Sequence, residues 1–319
     1  MSKPDFQICF KESLSGDTDW STLGEWDLFI SGFNSSERVR TLFTRISAKK
    51  KYWLVFPDYG YGDGEYPVDG EVFADNHKNE ADYIGGFMSK LPTSLGDKGI
   101  CVDITGFMRP HLLYLVRALK DRGVSQFDAF YSEPRMYQKK EETSFSDGPV
   151  YEVRQIAGFE GHHNTDTAND VLIVAAGYDH DLIRHVVESK SGARVVQIFG
   201  LPSLSAAMYQ EAVIRAARAA DSMSGRLASN ERYFCSANDP FGTASYLRGI
   251  KRKLETQKPI TNLYLSPLAT KPQVLGFALF YLADLQGEPA SIIFPFCNGY
   301  SRETSIGITR AWRYQVEFM

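Results

Sequence analysis

The feature that most constrains the fold is an internal repeat, because three segments recur in the same order in the two halves of the chain. They are a strand that runs into a glycine turn, a helical segment, and a strand followed by a loop. Such recurrence is the signature of duplicated structural units and predicts an internal duplication. The alternative is that any two strand–helix–strand units look alike when aligned. The pairs are LFISGFNSSERVR with LIVAAGYDHDLIR, YIGGFMSKL with YLRGIKRKL, and VDITGFMRP with LYLSPLATKP.

Within each half, apolar runs rich in β-branched and aromatic residues alternate with helical patterns. Runs of this kind are typical of buried strands, and their alternation with helices predicts parallel sheets with helices on both faces. The predicted fold class is α/β, with two Rossmann-like halves related by duplication, mostly parallel sheets and a C-terminal edge strand. The predicted strands are 28–33, 52–57, 71–75, 100–105 and 127–132, then 171–176, 194–199, 233–237, 262–266 and 290–295, and the first-half helices are 36–46, 79–91 and 109–122.

The predicted boundaries place the first half at 1–134, a polar connector that could hold one strand at 135–168, and the second half at 169–319 with an inserted helix at 203–230. The tail from Ile306 to Phe318 alternates apolar and polar residues, which is the period of a half-buried strand. We predict that its apolar face, centred on Trp312 and Tyr314, is buried. We also predict that it pairs with 150–159 or 6–10 and ties the halves together.

Composition excludes several classes of protein. The net charge of −4 argues against a broad non-specific nucleic-acid surface, which needs a basic excess. Four well-separated cysteines without a CxxC motif predict reduced thiols in a cytoplasmic protein and no structural zinc. The sequence shows no signal-peptide pattern and its most apolar helical run is too short to cross a bilayer. We therefore expect no membrane association, no metal and no cofactor.

The first candidate loops follow the first strand of each half. In open α/β sheets, ligands bind outside the carboxyl ends of the strands. A glycine there lets backbone approach a ligand, and the following helix start favours an anion. The alternative is a tight turn in which Asn or Asp caps the helix. The candidate ligand-binding residues are Gly32 and Asn34 in the first half and Gly177, Asp179 and His180 in the second.

The second candidate loops follow the fourth strand of each half. Each carries a hydroxyl residue and then a basic residue followed by proline, which fits the first turn of a helix. Two such loops, one from each half, would line a shared crevice suited to phosphate groups. The alternative is a pair of helix starts with solvated basic residues. The candidate residues are Thr105 and Arg109 in the first half and Ser266, Thr270 and Lys271 in the second.

These second loops resemble the strand and loop of CRISPR-associated Rossmann-fold sensor domains, whose pattern is roughly an apolar strand, D-x-T-G-G-T-K and a helix. Asp103, Thr105 and Gly106 match the start of the pattern, and Thr270 and Lys271 match its end. Neither loop has the whole pattern, because the first continues with Phe-Met-Arg and the second begins with Ser-Pro-Leu.

Domains of that family pair and bind cyclic oligonucleotides across the pair. A fused pair in one chain resembles the two-copy sensor domains of bacterial antiviral systems. The resemblance implies a small anionic or nucleotide ligand and a separate effector protein, because no nuclease or helix-turn-helix segment is recognised outside the two halves.

Three functions remain open from the sequence: a sensor or binding subunit for a nucleotide-like ligand, an enzyme that cleaves or modifies a nucleotide in the same crevice, and a structural subunit. Glu133 and Asp239 follow strands and could act as acid or base, but no spacing pairs them. The candidate loops supply cations, hydroxyls and backbone donors without a clear nucleophile–base pair. We therefore predict a nucleotide-like ligand sensor.

Overall fold

The computed structural model describes residues 4–15, 18, 20–137, 146–177, 179–204, 209–214, 217, 231–302 and 305–318. It divides into two compact units. The seven-stranded unit comprises Ile8–Thr143 and Gly299–Met319, and the six-stranded unit comprises Met1–Gln7 and Ser144–Asn298. No helix in the described part of the chain is long and apolar enough to cross a membrane.

Strands and helices alternate along most of the chain, as the apolar runs predict. The elements in chain order are β1 (Lys11–Leu14), β2 (Trp26–Gly32), α1 (Glu37–Arg45), β3 (Ala48–Val55), β4 (Glu71–Ala74), α2 (Glu80–Met88), β5 (Ile100–Asp103), α3 (Arg109–Asp121), β6 (Gln126–Tyr137), β7 (Ser146–Gln155), β8 (Val171–Ala175), α4 (His180–Ser189), β9 (Arg194–Gly200), β10 (Arg232–Cys235), α5 (Pro240–Gln257), β11 (Leu263–Pro267), α6 (Lys271–Asp284), β12 (Ala290–Tyr300) and β13 (Ser305–Glu317).

The parallel strands of the two sheets follow the same order. The seven-stranded sheet runs β1-β13-β6-β5-β2-β3-β4, and the six-stranded sheet runs β10-β9-β8-β11-β12-β7. Strands β2 to β6 are parallel, as are β8 to β12. In both sheets the parallel strands therefore follow the order third, second, first, fourth, fifth. The α/β class with mostly parallel sheets is confirmed. The common order is the one that a duplication requires, and the duplication itself stays a prediction.

The C-terminal strand differs from its prediction. β13 lies between β6 and β1 and is antiparallel to both, so it is not an edge strand. It belongs to the sheet of the first half rather than to the second half. It does not pair with 150–159. Its partner β1 begins directly after the predicted 6–10 segment, and the carbonyl oxygen of Phe10 at the end of that segment accepts a 3.0 Å hydrogen bond from the Gln315 backbone N–H. An alternating pattern specifies which face of a strand is buried but carries no information about its neighbours, which is why the sequence did not identify these partners.

The alternation in this tail is also interrupted. Tyr314 and Val316 are buried as predicted, but Trp312 is only half-buried and Ile306 is 47% exposed. The register against β6 shifts between Ile308 and Arg310, and such a bulge changes which face the following side chains occupy. The buried face therefore begins only after the bulge.

The predicted polar connector at 135–168 is not a simple linker, and little of the predicted inserted helix at 203–230 is described. β6 extends to Tyr137, and β7 adds to the six-stranded sheet beside β12. The predicted 135–168 connector thus contributes the last three residues of β6 to one sheet and the whole of β7 to the other. Of the predicted inserted helix at 203–230, residues 209–214 are helical and most of the rest lies outside the described residues.

An aromatic core holds β2 against α1 in the seven-stranded unit. Phe33, immediately after β2, is fully buried and packs edge-on against Trp53, while Phe43 of α1 stacks on Trp53 with ring centroids 3.7 Å apart. Burial of large aromatic side chains is among the strongest contributions to a core. This packing fixes the loop that leaves the carboxyl end of β2.

Candidate functional site

The carboxyl ends of β2 and β5 meet where the strand order reverses, with Ser31 paired to Asp103. Reversal points of this kind are where open α/β sheets bind ligands. The loops that follow touch through their backbones, since a Cβ atom on Gly106 would lie 1.9 Å from the carbonyl oxygen of Gly32. The glycines therefore allow the two loops to pack against each other. The sequence prediction had instead explained the glycine after the first strand by the close approach of a ligand.

The six-stranded unit repeats this contact. A Cβ atom on Gly177 would lie 2.1 Å from the carbonyl oxygen of Leu268, and Leu268, like Gly106, stands three residues before a helix start. The two helices begin at Lys271 and Arg109, each with proline at the next position. The predicted helix starts after the fourth strands are therefore confirmed in both units.

The two hydroxyl residues of these loops do not occupy equivalent places. Thr105 lies four residues before its helix start, and its Oγ1 accepts a hydrogen bond of 3.1 Å from the Ser132 backbone N–H. Ser266 lies five residues before Lys271 and inside β11, where its hydroxyl is fully buried. A shift of one residue in extended backbone turns a side chain to the opposite face, so the two hydroxyls face different surroundings.

A buried carboxylate lies beneath the loops of the seven-stranded unit. Asp103 accepts hydrogen bonds of 2.9 Å from the Ser31 hydroxyl and 2.9 Å from the Thr105 backbone N–H. Burial raises the pKa of Asp103 to about 6, although those hydrogen bonds and the charge of Arg38 oppose the shift. Desolvation outweighs them because a carboxylate inside a protein loses most of its hydration.

Two residues at the start of α1 are part of this site although the sequence prediction missed them. Ser36 is the N-cap residue but makes no capping bond with its side chain, and Arg38 donates one hydrogen bond to the Ser132 carbonyl oxygen. Within the described part of the chain, neither the Ser36 hydroxyl nor the Arg38 Nε has a hydrogen-bond partner. The signal available in the sequence was a serine and an arginine in the first turn after a glycine loop.

A loop of residues 57–66, here called the tyrosine loop, lies against both of the touching loops. Tyr59 donates a 3.2 Å hydrogen bond from its hydroxyl to the Gly106 carbonyl oxygen. Burial raises the pKa of Tyr59, against smaller opposing effects from a hydrogen bond with Asn34 and from the charge of Arg109. The Tyr59 hydroxyl therefore bonds directly to the loop after β5, and the charge of Arg109 acts on it.

The second tyrosine of this loop reaches the start of α1. The Tyr61 hydroxyl accepts a 2.8 Å hydrogen bond from the Ser35 backbone N–H, and its ring packs on Phe33 with centroids 5.0 Å apart. Arg302, from the segment before β13, holds the loop in place. Its Nε donates to the Tyr59 carbonyl oxygen at 2.6 Å, and its guanidinium lies 4.4 Å from the centroid of the Tyr61 ring.

The predicted site residues of the six-stranded unit serve mainly as helix starts. Asp179 is the buried N-cap residue of α4, and His180, the first residue of that helix, is about half exposed at its side chain. Thr270 and Gln273 form a reciprocal capping box on α6, so the Thr270 side chain caps this helix. Asp239 likewise caps α5 by accepting a hydrogen bond from a backbone N–H.

Neither metal binding nor thiol chemistry is evident in the described residues. No group of three or more His, Cys, Asp and Glu side chains is placed there to hold a metal ion. Burial raises the pKa of the Cys101 and Cys235 thiols. A thiol acts as a nucleophile only when it is ionised, so burial disfavours the nucleophilic form of both cysteines.

No protein-family model matches this chain, and no curated protein matches it. Its class is therefore defined by the fold and the site. It is an α/β protein with two Rossmann-like units, each of which brings the loops after its first and fourth parallel strands into backbone contact.

Proposed function

We propose that this protein binds a phosphate-bearing, nucleotide-like small molecule at the carboxyl edge of its parallel strands and acts as a sensor subunit. The observation that carries the proposal is the contact at the reversal point of the seven-stranded sheet, where the loops after β2 and β5 touch through Gly32 and Gly106 and the Tyr59 hydroxyl donates a hydrogen bond to the Gly106 carbonyl oxygen. These are the two loops in which the sequence singled out Asn34 and Arg109. By its resemblance to the Rossmann-fold sensor domains of antiviral systems, the proposal extends to a separate effector protein.

The charges at this edge favour an anion. Arg109 begins α3, and Arg38 lies in the first turn of α1. Helix starts direct backbone N–H groups and the positive end of the helix dipole toward a bound anion. A charge-assisted hydrogen bond contributes roughly 1.5–3 kcal/mol, so two or three such bonds total about 3–9 kcal/mol, which corresponds to dissociation constants from several millimolar to about a micromolar.

The chemistry of the site supports binding over catalysis. Asp103 has an elevated pKa, but it is fully buried and its oxygens accept hydrogen bonds from Ser31 and Thr105. A general base must come within hydrogen-bond reach of the proton that it removes. Asp103 therefore supports the loops from beneath and does not act on a ligand.

The proposal is tested by titrating the purified protein with ATP, cyclic dinucleotides, cyclic oligoadenylates and pyrophosphate in a calorimeter. We expect Arg109→Ala and Lys271→Ala each to weaken binding roughly ten- to a hundredfold, at about 1.4 kcal/mol per decade. The matched controls are Arg117→Ala, which removes a cation paired with Asp121 on α3, and Lys251→Ala, which removes one paired with Glu255 on α5. Both controls should leave the affinity unchanged.

The same titration gives the number of ligands bound per chain, and chromatography of the ligand after incubation shows whether it has been altered. Recovery of intact ligand supports a sensor. Conversion of the ligand to a product would show instead that the protein is an enzyme. Equal affinity in the wild-type protein and both site variants, or no binding of any of the four ligands, would overturn the proposal.

A further inference from the structure

The start of α1 holds polar groups whose hydrogen-bonding capacity is unused. Ser36 is 3% exposed and Arg38 is 8% exposed. In the part of the chain that the structure describes, the Ser36 Oγ and the Arg38 Nε make no hydrogen bond, and Ser36 does not cap the helix with its side chain. Buried polar groups are rarely left unpaired unless another molecule or a function accounts for them.

These groups share one chemical preference. A serine hydroxyl, an arginine N–H and the backbone N–H groups of a first helical turn are all donors, and the helix dipole adds positive potential at the same place. Guanidinium groups suit phosphate oxygens particularly well in geometry and charge. Two acidic groups of these elements do not occupy the donors: Asp103 is buried and bonded to Ser31 and Thr105, and Glu37 is exposed to solvent. The start of α1 is therefore suited to a phosphate group.

An oxygen atom from the protein itself already lies at this helix start. The Tyr61 hydroxyl accepts the Ser35 backbone N–H at 2.8 Å and lies 3.3 Å from the Ser35 Oγ. An incoming phosphate oxygen would compete for the same backbone donor.

Arg302 holds this tyrosine in place. Besides its bond to the Tyr59 carbonyl oxygen, its guanidinium donates to the Gly60 carbonyl oxygen and forms a 2.7 Å ion pair with Glu65. One side chain, carried by the segment that precedes β13, thus fastens the tyrosine loop at three points and stacks on the ring of Tyr61.

We propose that the start of α1 is a gated phosphate subsite, in which Ser36 and Arg38 receive a phosphate group of the ligand after Tyr61 moves away. Arg302 acts as the latch of this gate. The inference rests on the proposed function, because it names a subsite of the same nucleotide-like ligand and the element that regulates access to it.

The test compares the affinities of single variants for ATP and pyrophosphate by calorimetry. Tyr61→Phe removes the competing hydroxyl but keeps the ring on Phe33, so we expect about three- to tenfold tighter binding of both probes. Arg302→Gln loosens the loop and should act in the same direction. Tyr66→Phe removes another hydroxyl from the same loop and is the matched control, with an expected change of less than twofold.

Ser36→Ala tests the subsite itself. Because the Ser36 side chain makes no capping bond, this variant should keep its thermal stability, and we expect about tenfold weaker binding of both probes. Ser36→Ala also tests the subsite if a variant of the buried Arg38 fails to fold. Unchanged affinity in both Ser36→Ala and Tyr61→Phe, while Arg109→Ala still weakens ATP binding, would overturn the gate and leave the proposed function standing. No binding of either probe by the wild-type protein and Tyr61→Phe would overturn the gate, and the proposed function would fall as well if the cyclic dinucleotides and cyclic oligoadenylates also failed to bind.

Discussion

The carboxyl edges of the two parallel sheets share a backbone arrangement but differ in chemistry. In each, a glycine after the first strand touches the loop after the fourth, and a helix with a basic first residue follows. In the seven-stranded unit the side chains beneath the loops include Asp103 and Arg38. In the six-stranded unit the position equivalent to Asp103, six residues before the helix start, is Leu265, and the neighbouring contacts join Gln273 to Cys235.

This difference teaches that the loop contact is a requirement of the fold, whereas the buried pair of Asp103 and Arg38 beneath it is found in the seven-stranded unit. Two loops that approach within backbone contact need glycine whatever they bind. Buried charges are costly and are retained where they have a role. We therefore place the first phosphate contact in the seven-stranded unit. The predictions below test how far the two units differ.

The largest expected effect concerns β13, the C-terminal strand, which lies in the seven-stranded sheet. Tyr314 is fully buried in β13, so Tyr314→Ala should lower the free energy of unfolding by about 3–5 kcal/mol, as large aromatic truncations in cores do. Hydrogen exchange should rise in peptides of the seven-stranded unit. Tyr246→Ala, at a residue 53% exposed on α5, is the control. An equal rise in the peptides of both units would show that the strand is not specific to one sheet.

The next effect tests whether the glycine contact is equally necessary in both units. Gly106→Ala and Gly177→Ala would each place a Cβ atom within 1.9 Å or 2.1 Å of a backbone oxygen. We expect each to destabilise its unit by roughly 3 kcal/mol or somewhat more, because the backbone itself must move. Urea unfolding followed by hydrogen exchange measures this.

The controls for this pair are helical glycines with open space around them. Gly85→Ala in α2 and Gly249→Ala in α5 meet nothing within 4 Å and should stabilise by about 0.5–1 kcal/mol. If Gly106→Ala or Gly177→Ala were as stable as these controls, the loops would not pack as described.

The smallest of these effects is a pH dependence confined to the seven-stranded unit. The pKa of Asp103 is about 6 in the folded protein and 3.8 in its ordinary setting. Its contribution to stability is therefore full below about pH 4 and is lost as the pH rises through about 6, a change of up to about 3 kcal/mol. Asp103→Asn should remove this change, so the stability of the variant relative to wild type should grow between about pH 4 and 6. Parallel stability curves across that range would contradict the elevated pKa.

The amino-acid sequence was sufficient for most of the strands and helices and for the positions of the loops that follow the first and fourth strands. Each predicted strand of the two halves corresponds to an observed strand, because a buried parallel strand needs a continuous apolar run that is visible locally. The same local logic identified the helix starts at Arg109 and Lys271, where proline follows the basic residue. Ser36 and Arg38 were missed because their importance depends on unused hydrogen bonds, which no local pattern shows.

The sequence by itself determined the α/β class, the alternation of strands and helices, and the loops that follow the first and fourth strands, since all of these depend on residues close together in the chain. Only the tertiary structure decided that β13 joins the sheet of the first half, that Tyr59 and Tyr61 cover the loops there, and that Arg302 holds them. These are contacts between distant segments, and their partners are chosen by packing and hydrogen-bond satisfaction in three dimensions rather than by the period of a local pattern.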